Sequence, residues 1–117
     1  MLGFDSMRKP ANQADWDARA RRSTADGGRA FERLLRIAER SETGQARSVA
    51  MFIAATVGHC RFDMYCLRPV DVEISDDMLA CLDAIRWSKA QLPDLVEDGW
   101  ERAEAVSEHW GYRSTPF

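Results

Sequence analysis

Hydrophobic and polar positions along this chain recur with a helical period, and alternation of the kind a strand needs never lasts. Phe31, Leu34, Leu35 and Ala38 stand at i, i+3, i+4 and i+7, one buried helical face. The pattern predicts a helix after Asp26-Gly27-Gly28 running to about Arg40, with Asp26 as its N-cap and the glycines tolerated at its start. Upstream, residues 13–22 have fair helix propensity but one apolar anchor, Trp16, and predict a short helix ending before Ser23-Thr24. Residues 1–12 show no periodicity and predict a mobile N-terminal arm.

A second helix is predicted from about Thr43 to Val57. Its middle, Val49-Ala50-Met51-Phe52-Ile53-Ala54-Ala55, is apolar nearly all round, as in a helix packed among others. Gly58 suits the left-handed residue that ends it. Asp63 can cap a one-turn helix that stops before Pro69. A third long helix should span about Val72 to Lys89, with Ile74, Met78, Cys81, Leu82 and Ile85 as its buried stripe. Leu92-Pro93-Asp94 breaks the chain, and a last helix is predicted from about Leu95 to Trp110, stopped by Gly111 ahead of a loose tail. The expectation is all-α: a compact bundle of three to five helices, divided into an arm or short helix over 1–25, a helical domain over 26–110 and a tail over 111–117.

Composition supports this reading and narrows the function classes. The 117 residues are 45% hydrophobic and 30% charged, a globular balance. No apolar run approaches the roughly 18 residues that cross a bilayer, and the opening residues carry no signal-peptide core. Three cysteines in such a chain fit reduced thiols, so a cytoplasmic location without membrane contact is expected.

The net charge of −3 hides an asymmetry. Residues 1–60 carry ten basic against seven acidic side chains, and residues 61–117 carry six against twelve. Projection at about 100° per residue places Arg29, Arg33, Arg36 and Arg40 in one row opposite Phe31 and Leu34. Glu97, Glu101, Glu104 and Glu108 repeat the same offsets on the last helix. Such rows are solvated helix backs, or they meet each other within the chain or across a homodimer, or the arginines take phosphate or acidic partners. On the third helix Asp76, Asp83 and Trp87 share a polar face, with Trp87 either covered by the C-terminal segment or offered to a partner as an anchor.

Catalytic and metal chemistry find little footing. His59, Cys60 and Cys66 lie close together but form no Cys-x2-4-Cys knuckle, and zinc needs four ligands. Cys60, Cys66 and Cys81 read instead as small buried hydrophobes, and His59 as a helix C-terminal residue. There is no Gly-x-Ser-x-Gly, and Asp26-Gly27-Gly28-Arg29 lacks the lysine and spacing of a phosphate loop. No cofactor, metal or catalytic residue is expected. Arg19, Arg21 and Arg22 extend the arginine row beside Trp16, so nucleic-acid association through Arg19–Arg40 is the alternative, although the chain lacks a basic footprint overall.

The segments Leu34-Leu35-Arg36-Ile37-Ala38 and Thr43-Gly44-Gln45-Ala46-Arg47-Ser48-Val49-Ala50-Met51-Phe52, with Phe62-Asp63 and Asp77-Met78-Leu79, carry a family likeness. Over roughly residues 30–95 the chain resembles a small uncharacterised bacterial domain family, found in proteobacteria and often on plasmids and other mobile elements. That resemblance implies a bacterial, mobile-element origin and no assigned activity. The residues themselves predict a non-enzymatic protein–protein interaction or adaptor module, self-associating or inhibitory towards a partner protein, with the two charge rows and Trp87 as its contact residues.

Overall fold

The computed structural model describes residues 13–113. Among them the chain forms four α-helices and two 3-10 turns: α1 Gln13–Arg40, α2 Gly44–Thr56, α3 Val72–Trp87 and α4 Gly99–His109, with turns at Met64–Leu67 and Leu92–Leu95. This is the all-α bundle that the periodicity predicts. The expected arm, residues 1–12, and the end of the expected tail, residues 114–117, lie outside the described residues.

α1 is one uninterrupted helix of 28 residues, so the expected break before Ser23-Thr24 is absent and Asp26 is not an N-cap. The reason lies in packing. Ser23, Gly27, Ala30, Phe31, Leu34, Leu35 and Ala38 follow one face of α1, and all are buried. Ser23 Oγ donates to Asp83 of α3, which gives a polar residue on that face a partner. A Cβ on Gly27 would lie 2.2 Å from the Ala84 Cβ, so only glycine lets the two helices approach this closely. Each glycine inside a helix costs roughly 1 kcal/mol relative to alanine. At Gly27 the contact with α3 compensates. Asp26, freed from capping, pairs with Arg29 on the same helix.

α3 runs antiparallel to α1. Along the pair Trp87 meets Trp16, Asp83 meets Ser23, and Asp77 meets Arg33. The predicted stripe of α3 holds at Met78 and Cys81, which are buried, but Leu82 and Ile85 are exposed. The correction follows from the same close approach: α3 turns Cys81 and Ala84 toward Gly27, and α1 with the Leu92–Leu95 turn chiefly covers it. Leu82 is left exposed, and Ile85 stays half in water at a cleft that it lines with Thr56 and Leu92.

α2 starts where Thr43 Oγ1 accepts the Ala46 N–H, as its sequence indicates, and buries Ala46, Val49, Ala50, Phe52, Ile53 and Ala54. Gly58 follows with φ +85°, the left-handed conformation expected there. Asp63 accepts the Tyr65 N–H and caps the first 3-10 turn, while Phe62 packs edge-on against Phe52. The Gln45 side chain then accepts the Asp71 N–H at 2.6 Å and fixes the start of α3.

α4 begins at Gly99, four residues later than predicted. Asp98 takes φ +53°, and a Cβ at Gly99 would collide with the Pro93 carbonyl, so a tight corner separates the 3-10 turn from the helix. Ala103, Val106 and Ser107 seat α4 in the core, and Trp110 Nε1 donates to the Ala38 carbonyl of α1.

Candidate interaction surface

The two charge rows do not meet. Among the described residues, no hydrogen bond or ion pair joins Arg29, Arg33, Arg36 or Arg40 to the side chains of Glu97, Glu101, Glu104 or Glu108. Arg29 pairs with Asp26 and Arg36 with Glu32 along α1 itself. Arg33 makes a bidentate contact with Asp77 of α3, at 2.8 and 3.0 Å. Arg40 is exposed. On the acidic side Glu104 meets His59 at 2.8 Å and Arg113 at 3.6 Å, Glu108 meets Arg113, and Glu101 is exposed. Glu97 precedes the Asp98 corner and so stands off the α4 row altogether. It lines an open cleft of about 640 Å³ with Arg29, Arg33 and Arg36.

The charged contact that does join α1 to α4 has the opposite signs. Arg102, on the nominally acidic helix, reaches Glu32 and Glu39 on the nominally basic one. Its guanidinium bonds both Glu32 oxygens at 2.8 and 2.9 Å and both Glu39 oxygens at 2.9 and 3.0 Å. The Arg102 hydrogen bond holds the Glu32 carboxyl below its ordinary range, and the two carboxylates hold Arg102 protonated. Sequence reasoning missed this residue because row projection ranks charges by like-signed repetition, and Arg102 stands alone among glutamates. Its one readable signal is that solitude.

Among the described residues, which leave out 114–117 of the C-terminal segment, Trp87 is partly covered. The first turns of α1 do it: the Trp16 ring lies 5.3 Å away, and the Arg19 guanidinium stacks over Trp87 at 5.2 Å. Because α1 extends unbroken to Gln13, it brings Trp16 alongside the end of α3. Asp83, beside Trp87, accepts from Ser23 and Arg86 and forms an ion pair with Arg19 at 3.7 Å, and the Ser23 hydroxyl foremost lowers its pKa.

What the fold leaves open is part of the surface of α3. Leu79 is 52% exposed, Leu82 45% and Ile85 53%, three aliphatic side chains at i, i+3 and i+6. Val72, one turn from Asp76 on the same helix, is also exposed. Surface leucines are ordinary singly, whereas a contiguous apolar row marks a contact surface.

The cysteines follow burial only in part. Cys81 is buried, and burial pushes its thiol up to about 12. Cys60 and Cys66 are half-buried, contrary to the expectation of core packing, because the 59–70 segment lies over the end of α2 rather than inside the bundle. His59 turns its ring to Glu104 of α4. Among the described residues, no group of three or more His, Cys, Asp and Glu is placed to hold a metal ion, and no helix is long and apolar enough to cross a membrane.

No curated protein and no solved structure matches the chain. One family does, and its match, residues 28–111, runs from the second buried glycine of α1 to the glycine that ends α4. On that extent, the chain belongs to DUF7673, a family of unknown function.

Proposed function

We propose that this protein is a non-enzymatic protein–protein interaction module, a cytoplasmic adaptor or inhibitory partner encoded on a bacterial mobile element. The observation that carries the reading is the row Leu79, Leu82 and Ile85, apolar side chains that the fold does not use in its own core. A helix that serves only its own bundle places polar residues on its outer face. Keeping three aliphatic side chains in water costs solubility, and contact with another protein would recover that burial. The arginine surface supports a phosphate-binding role less, since carboxylates of the same chain engage Arg19, Arg29, Arg33 and Arg36. The test is affinity purification with mass spectrometry from the native host, comparing the wild-type chain with the Leu79→Glu/Leu82→Glu variant. Specific capture by the wild type that the variant loses is the expected result. Identical capture by both chains would sink the reading.

A further inference from the structure

We propose a second contact site, separate from the α3 row: the cleft beside Trp87 binds a short acidic peptide segment of a partner protein, an apolar side chain on its floor and carboxylates on its cationic rim. The cleft, about 530 Å³, opens between the N-terminal half of α1 and the connection that follows α3. Trp87 and Leu95 line it with Ala20 and Ala25 of α1, which gives it an apolar floor. It takes in none of Leu79, Leu82 and Ile85.

The rim follows from the way α3 ends. After Trp87, Ser88 takes φ −82° and ψ 145°, and its hydroxyl accepts the Ala90 N–H, so the chain leaves the helix at once. That turn sets Lys89 on the cleft together with Arg21 of α1. Both are exposed, and neither has a hydrogen-bond or ion-pair partner among the described residues. Arg19, Arg29, Arg33 and Arg36 differ, since carboxylates of the chain engage them. Asp17, the carboxylate that lines the cleft, accepts from Gln13. Two unengaged cations over an apolar floor complement carboxylates that flank an apolar residue. A long phosphate backbone fits less well, because two free cations make few phosphate contacts and the chain around them is acidic, at −3 overall.

Trp87 supplies a donor as well. Its indole Nε1 is buried without a hydrogen-bond partner, although buried polar groups are nearly always paired. Arg19 and Arg86 stack over its ring and Trp16 packs against it. All three side chains carry donors only, so none accepts that N–H. A peptide carbonyl or carboxylate does accept it. The N–H is closed to water in the free fold, so a covering side chain gives way as the peptide enters.

Panning a random-peptide display library on the purified full-length chain tests the assignment, followed by fluorescence polarisation of a labelled enriched peptide. The expected consensus places Asp or Glu on either side of an apolar residue. Arg21→Glu and Lys89→Glu should each weaken binding several-fold and together more than about tenfold, and added salt should weaken it too. Trp87→Phe keeps a ring but removes the donor, and should weaken binding several-fold with the far-UV circular dichroism unchanged. Leu79→Glu/Leu82→Glu should leave peptide binding unaltered, whatever becomes of host capture through α3. No enriched peptide, a neutral or basic consensus, or binding that the Arg21→Glu/Lys89→Glu variant retains overturns the proposal. Binding indifferent to Trp87→Phe, or lost with Leu79→Glu/Leu82→Glu, overturns it as well. So does tight binding of a labelled single-stranded oligonucleotide in place of the peptide.

Discussion

Replacing Gly27 with alanine separates intrinsic helix propensity from tertiary packing, because the two act in opposite directions. On propensity alone, Gly27→Ala in the middle of a helix gains about 1 kcal/mol. In this fold the new Cβ would lie 2.2 Å from the Ala84 Cβ and 3.2 Å from the Ala80 carbonyl oxygen. Carbon atoms in favourable contact sit roughly 3.5–4.0 Å apart, so α3 must move back by more than an ångström. That movement is opposed on both sides, by the Ser23–Asp83 hydrogen bond and by the bidentate Arg33–Asp77 pair. Overpacking of this kind costs about 1–3 kcal/mol, and the resistance of two helix backbones places it at the upper end. With the propensity gain deducted, Gly27→Ala is expected to destabilise the protein by about 2 kcal/mol, a fall in Tm of roughly 8 °C. Thermal and urea unfolding followed by far-UV circular dichroism measures this. Ala84→Gly, which removes the obstructing methyl, should recover part of the loss in the double variant, so that the two changes are less than additive. An unchanged or raised Tm for Gly27→Ala would refute the close α1–α3 contact.

Three further outcomes follow from the charged and thiol groups. Arg102→Ala leaves Glu32 and Glu39 facing each other without their shared cation, and should cost about 1–2 kcal/mol in urea unfolding. Arg102→Lys should recover less than half, since an ammonium cannot engage two carboxylates bidentately. The folded-state pKa values of Glu32 and Asp83 are depressed below their ordinary 4.5 and 3.8, so the unfolded chain binds more protons in that range. Their stabilisation is complete above those values and is lost as pH falls through the depressed ones. A stability profile between neutral pH and pH 2 should decline there, and Arg102→Ala should flatten it; an unaltered slope would contradict the Glu32 assignment. The buried Cys81 thiol, raised to about 12, should resist alkylation at neutral pH in the folded protein and react only on unfolding. Mass spectrometry after brief treatment with iodoacetamide should therefore show Cys81 unmodified.

The helices themselves were legible because their signals are local. Thr43 caps α2 through a hydroxyl that accepts the N–H three residues on, Asp63 caps its turn, and Gly58 and Gly111 end their helices with positive φ. Phe31, Leu34, Leu35 and Ala38 are buried as their spacing requires. The reading failed where one residue's role depends on a distant one. Ser23 and Gly27 look like a helix break until Asp83 and Ala84 stand opposite them. Leu82 and Ile85 look like core until the side of α3 that faces α1 is known.

The candidate surface shows the same division. Like-charged spacing drew attention to the arginine and glutamate rows, yet the fold disperses the arginines among Asp26, Asp77 and Glu32 and displaces Glu97 from its helix. The isolated Arg102 holds α4 to α1 instead. Periodicity, capping and glycine placement by themselves determined an all-α chain and the main span of each helix, because 3.6-residue repetition and terminal hydrogen bonds are properties of neighbouring residues. Only the tertiary structure decided which apolar face was covered and which carboxylate each arginine met. Those choices depend on how closely two helices approach, and here a methyl group absent at Gly27 sets that distance.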